Sequence, residues 1–342
     1  MHLDTDTASD LAPVEPNSVA RMQEVSSVAG QPLLVPGQPQ RRLAVPEWAA
    51  TLLSSRLALV GCCILLALVL VGIFAPLIAP YAPQASVAEP SLPPSWAHLF
   101  GTTTNGEDLF SQIVWGTRTA LFVGICASLL TTTIGVALGM TAGYLGGLIG
   151  ELLNLLMNIF MVIPYFALLI VISSLITTKS VLTTIVVIAI VGWAGHARLM
   201  QSQTLSVRNR DFVNAAIVAG VPTWRIILIE IMPNMISLIA HGVVGAYVGA
   251  LVADAGLALI GLGNPNATSW GMTLFWAQST GALLNGRWWH FVFPGLALAL
   301  ACTALIFINY GIDVISNPQL RQVKIPKHTR PGDPATPVRR VS

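Results

Sequence analysis

The sequence predicts an all-α polytopic membrane protein with six transmembrane helices and one structured cytoplasmic loop. Hydrophobic residues make up 54% of the 342-residue chain and charged residues only 9%, against about 25% charged in an ordinary soluble domain. The apolar residues are gathered into runs long enough to cross a bilayer as helices, which takes about 20 residues each. Those runs lack the alternation of a barrel strand.

The first run spans 57–78 and carries no charge before Pro80. The second lies within the charge-free stretch 119–150, the third at 152–178, and the fourth at 180–197. The fifth covers 231–253 and the sixth 291–312. Gly135, Gly139, Gly143 and Gly147 recur every four residues, which predicts one smooth packing stripe on the second span, where small side chains let helix backbones approach. Gly245 and Gly249 repeat the pattern on the fifth. Pro164 removes a backbone donor inside the third span and should kink it.

Positive charge sets the orientation. With six spans both termini share a side, and that side holds fourteen of the seventeen Lys and Arg residues; only Arg118, Lys179 and Arg287 fall outside. Both termini are therefore expected in the cytoplasm. Residues 1–50, rich in Pro, Ser, Gln and Val after an acidic start, read as a disordered tail and not a signal peptide. The transmembrane domain is expected over 51–315, with a second tail at 316–342 whose arginines could meet anionic headgroups.

Catalytic chemistry is not legible. Net charge is +2, with no basic cluster for nucleic acid. Cys62, Cys63, Cys126 and Cys302 each sit in apolar runs at spacings that match neither zinc nor redox sites. His241 and His290 have no carboxylate near them in sequence, which favours packed or interfacial histidines. No phosphate-cradling Gly-Lys-Ser/Thr motif occurs, so no ATP or metal site is expected in this chain. Of the acidic residues only Asp254, near the outer end of the fifth span, approaches the bilayer interior, which argues against an ion-coupled transporter or a charged-pore channel.

The stretch 198–233 differs from a solvated linker. Ser206 is expected to cap a short helix bearing Val207, Phe212, Val213 and Ala216 among Arg208, Arg210 and Asp211. Gly220, Val221 and Pro222 should end it, with a second helix starting near Thr223. Small residues at Ala215, Ala216 and Gly220 suit close approach of a partner groove.

The run NAAIVAGVPTWRIILIEIMPN resembles the EAA loop of ABC importer membrane subunits through Asn214, Ala215, Ala216, Gly220 and Pro233. Residues 96–316 resemble the C-type permease of the dipeptide/oligopeptide/nickel importer family. FGTTTNGEDLFSQIVWGTRTAL carries the matches Gly101, Thr102, Gly106, Asp108, Ser111, Gly116, Arg118 and Leu121. Pro164 of IPYFALLIVI, and Gly261, Leu262, Gly263, Trp270 and Gly271 of LIGLGNPNATSWGMTL, supply the rest.

This resemblance implies a non-catalytic subunit in the cell membrane that pairs with a second, B-type permease. Two cytoplasmic ATP-binding subunits would carry ATP and Mg and grip the loop, and an extracytoplasmic binding protein would deliver substrate. It implies coupling roles for Arg208, Asp211, Asn214, Ala215, Ala216 and Gly220. Short peptides are the implied cargo.

The chain also departs from the family pattern. Asn214 stands where the motif has Glu; Thr103, Glu107 and Gln112 replace Asp, Arg and Arg; and Asn158 falls at a common Asp. A neutral solute such as an oligosaccharide therefore stays open as cargo beside peptide. Other classes left open are a self-sufficient secondary transporter or channel, and an exporter subunit.

Overall fold

The structure, a computed structural model, describes residues 55–316. The expected N-terminal tail over 1–50 and the tail beyond Ser316 lie outside the described residues. Among the described residues no strand forms, and five helices are long and apolar enough to cross a membrane, or six if one bent pair counts as a span.

Helix α1, Arg56–Ile73, starts where the Ser55 hydroxyl accepts the Ala58 N–H, and a single turn α2, Ala75–Ile78, follows a break at Phe74. Helix α3 runs Leu109–Leu145, 37 residues or about 55 Å at 1.5 Å per residue. It starts ten residues before the charge-free stretch because Asp108 caps it, accepting the Ser111 N–H at 2.8 Å. Arg118, expected outside the spans, therefore lies within this helix, on an exposed position.

The third span is two helices, α4 Gly147–Val162 and α5 Tyr165–Leu175, bent by 91°. Ile163 is extended, as a residue before proline tends to be, and Pro164 opens α5. Helix α6, Val181–Val207, is capped by Ser180 and extends ten residues beyond the end of the apolar run at Ala197. Its last turns pack on α3 through Gln201 and Thr204, so tertiary contact carries the helix past the polarity change.

A loop helix α7, Asp211–Val218, precedes α8, Thr223–Leu259. Around Pro233, α8 passes through a π-helical segment, Ile226–Ile231, and a 3₁₀ segment, Met232–Met235. The Met232 N–H reaches back to the Ile227 carbonyl, which lets the helix absorb the proline instead of starting after it. Helices α9, Trp270–Ser279, and α10, Trp289–Ser316, complete the bundle.

The α3–α6 pair is the most extensive helix contact, and glycine is the reason. A Cβ on Gly135 would come within 2.7 Å of His196 Cβ, and one on Gly143 within 2.8 Å of the Gln201 carbonyl oxygen. On Gly139 it would overlap the Ala197 carbonyl. Gly147 does not continue this stripe: α3 ends at Leu145, and Gly147 opens α4 with nothing within 4 Å of a would-be Cβ. A spacing of four kept its phase only while the helix lasted. Gly245 and Gly249 are likewise exposed and meet nothing within 4 Å in this chain.

Residues 79–108 fold as an irregular cap over the start of α3. Thr102 is its centre: its hydroxyl donates to the Glu89 carbonyl and accepts the Leu92 N–H, both at 2.8 Å. His290, at the start of α10, donates from Nε2 to the Thr102 carbonyl at 2.7 Å. His98 Nδ1 lies 2.9 Å from Asp108 Oδ1, and both are buried. Gly101 fits under the Trp289 indole, while Gly116 lets Trp270 approach α3 and donate from Nε1 to the Ile113 carbonyl at 3.0 Å. Four of the eight matched residues of the outer motif, Gly101, Thr102, Gly106 and Asp108, therefore lie in this cap, and the other four lie in α3.

Candidate functional site

The candidate site lies at the opposite end of α3 from the cap. There α6 finishes at Val207, the chain turns through Arg208, Asn209 and Arg210, and α7 begins. Ser206 does not cap α7: it belongs to the last turn of α6, and Arg210 holds the N-cap position without a side-chain bond. Asp211 supplies negative charge in the first turn of α7, where the helix dipole favours it.

The other end of α7 is tightly specified. The Gly220 N–H donates to the Ile217 carbonyl at 3.0 Å and the Val221 N–H to the Ala216 carbonyl at 3.1 Å. These paired bonds form a Schellman stop, which needs a left-handed residue; Gly220 has φ +73°. Pro222 then caps the first turn of α8.

One face of α7 is anchored. Val213 is fully buried in a cluster with Met140 of α3, Met200 of α6, and Ile226, Ile231 and Met235 of α8. Ala216 and Val221 pack against the same cluster. Burying a valine side chain contributes about 1.5 kcal/mol or more, so this contact fixes the helix against three spans at once.

Arg208 adds a polar tie. Its guanidinium donates to the Tyr144 carbonyl at 3.2 Å and the Gly143 carbonyl at 3.4 Å, satisfying the end of α3. The site residues read from sequence thus separate. Arg208 is half-buried and holds α3; Ala216 is half-buried under the helix; Asp211, Asn214, Ala215 and Gly220 are exposed.

The exposed face also carries residues that sequence reasoning passed over. Val218 is 89% exposed and Trp224 62%, with Phe212 and Ile217 beside them. Large apolar side chains bared around a short helix mark a contact surface more often than a solvated one. The available signal was the helical spacing of Ala215 and Val218, one turn apart on the face away from Val213.

Two further polar groupings join helices in the bundle. Arg198 of α6 donates to Asn154 at 2.8 Å, and also to Asn158 and Gln201, tying α4 to α6. His241 Nδ1 of α8 lies 2.8 Å from Asp313 Oδ1 of α10, in ion-pair range although off the line of a hydrogen bond. The sequence separation of this pair hid it.

Comparison with known proteins places these features. Residues 135–322 match the model of the binding-protein-dependent transport system inner membrane component family. Residues 48–94 match the N-terminal transmembrane domain of oligopeptide transport permease C. The chain is 32% identical over 271 residues to the dipeptide transport system permease protein DppC of Bacillus subtilis, covering 78% of this chain and 83% of that protein. It is 32% identical over 262 residues to a putative peptide permease protein of Brucella suis, covering 76% and 86%. With the di/tripeptide transport system permease protein DppC of Pseudomonas aeruginosa the identity is 29% over 272 residues, covering 77% and 88%. A multi-pass helical bundle, a cap that holds part of the outer motif and a match over more than half its length together make this chain a member of the family of inner membrane components of binding-protein-dependent transport systems.

Proposed function

We propose that this chain is one of two permease subunits of an ATP-driven ABC importer for short peptides. Its partners are a B-type permease, two cytoplasmic ATP-binding subunits that carry ATP and Mg, and an extracytoplasmic binding protein. Both termini and α7 face the cytoplasm, in line with the distribution of Lys and Arg. The observation that carries the reading is α7 itself, rooted in three spans through Val213 and presenting a bare face of Ala215, Val218 and Gly220.

That arrangement suits a lever. A partner that grips the bare face and moves it displaces Val213, and the close-packed cluster of Met140, Met200, Ile226 and Met235 passes the displacement to α3, α6 and α8. The Arg208 bonds to the end of α3 make the same link from the other side of the turn. The π and 3₁₀ segments of α8 are the compliant element beside it, where backbone bonds can exchange between registers. Asp211, Asn214, Ala215 and Gly220 contact the ATPase, whereas Arg208 and Ala216 position the helix.

Peptide as cargo rests on the names of the relatives, which are dipeptide, di/tripeptide and peptide permeases. The test is reconstitution of this chain with its partner permease, ATPases and binding protein in proteoliposomes. ATP-dependent uptake of trialanine is expected, with no flux from this chain alone. Solute movement by the isolated chain under a proton or sodium gradient would contradict the reading, and uptake of an oligosaccharide in place of peptide would correct the cargo.

A further inference from the structure

Where the resemblance leads one to expect two arginines in the outer segment, the chain has Glu107 and Gln112, and the structure puts this exchange in a cavity. The cavity holds about 220 Å³ and is bounded by Glu107, Gln112, Asn105, Asn266, Thr268 and Trp276 among others. It lies at the cap end of the bundle, the length of α3 away from α7. Glu107 is held by one oxygen: Oε2 accepts from the Gln112 amide at 2.8 Å and from the Thr103 hydroxyl at 3.1 Å. Gln112 is itself fixed by donating to the Pro83 carbonyl at 3.2 Å. Glu107 Oε1 receives no donor from the described residues.

A pinned carboxylate with one free oxygen is a pre-oriented acceptor for a charged donor, the stronger kind of hydrogen bond. Among the described residues lining the cavity Glu107 is the one charged side chain, so nothing cationic competes for it. Trp276 lines the same space and is 47% exposed, offering an aromatic ring to a cation. At about 220 Å³ the space is large enough for the amino end of a peptide.

We propose that this cavity is an ammonium subsite: Glu107, held by Thr103 and Gln112, receives the protonated amino terminus of a peptide as it passes into the permease. The proposal rests on the peptide reading above and adds a residue-level selectivity for cationic over anionic leading ends. A carboxylate presented here would meet like charge with no cation to offset it, so orientation is set before the peptide enters the pathway.

The test uses the complete importer in proteoliposomes with trialanine as probe, comparing wild type, Glu107→Gln and Glu107→Asp. Loss of the charge should lower the trialanine uptake rate about five- to tenfold, as expected for one charge-assisted hydrogen bond at a partly open site, with Glu107→Asp recovering much of it. The binding-protein concentration giving half-maximal ATPase stimulation should not move. Wild-type uptake by Glu107→Gln overturns the proposal. So does a shift in the binding-protein midpoint equal to the loss of uptake, because Glu107 would then be a docking contact for that protein. A wild-type importer that leaves trialanine outside overturns the peptide reading and this subsite with it, and that result is seen before any variant is compared.

Discussion

The Arg208 guanidinium reaches the Tyr144 carbonyl at 3.2 Å and so joins the last turn of α3 to the turn that launches α7. The residue closes the end of one helix while setting the start of another, which explains why a charged side chain in the loop is half-buried and not part of the bare face. Replacing it by glutamine removes a charged donor from carbonyls that have no helical partner, a loss of about 1–2 kcal/mol. Arg208→Gln is expected to insert normally, to loosen the junction, and to raise the ATP hydrolysed per peptide imported. Hydrogen exchange at residues 143–146 and 208–212, compared with wild type, checks the structural half of this expectation.

Val213 is the root of α7. Val213→Ala should cost about 2 kcal/mol in a close-packed site, and Val213→Asp considerably more, because an unpaired carboxylate would enter an apolar cluster. The alanine variant is expected to retain ATPase binding with weakened coupling. The aspartate variant should lose both, measured by co-purification of the ATPase with the permease and by the ratio of uptake to hydrolysis.

Gly220 separates two effects. A Cβ there meets nothing within 4 Å, so Gly220→Ala suffers only the backbone cost of φ +73°, about 1 kcal/mol. Gly220→Asn should behave better than alanine, since asparagine tolerates that conformation. Gly220→Trp adds bulk on the bare face and should uncouple hydrolysis from uptake. Normal coupled uptake by the tryptophan variant would speak against ATPase contact at this turn.

Gly139→Leu tests the packing stripe independently of function. Its side chain would collide with the Ala197 backbone, which cannot rotate away, so the α3–α6 contact must open. Loss of the folded subunit from detergent extracts is the expected outcome, while Gly147→Ala, at a position clear of neighbours, should leave expression unchanged apart from a backbone cost at φ +51°.

The spans, the glycine approach of α3 to α6 and the stop of α7 at Gly220 were legible because each follows from local chemistry: apolar length, residue size and a left-handed turn. Helix ends were less so. Charge counting cut the second span at Thr119 and the fourth at Ala197, but Asp108 capping and the buried Gln201–Thr204 turn extend both helices into polar territory. Ser206 looked like a cap because the sequence does not reveal that α6 is still packed there. The His241–Asp313 pairing, the Thr103–Glu107–Gln112 cavity and the bare patch of Val218 and Trp224 depend on tertiary placement, which a single sequence does not encode by spacing.

The most direct measurement replaces Val218, at the tip of the bare face, with a photo-crosslinking residue in the assembled, transporting importer. An adduct with the cytoplasmic ATP-hydrolysing subunit, its yield changing between nucleotide-free and ATP-bound states, is the expected result. Adducts to lipid alone, in vesicles that still import peptide at the normal rate, would contradict the coupling role of α7.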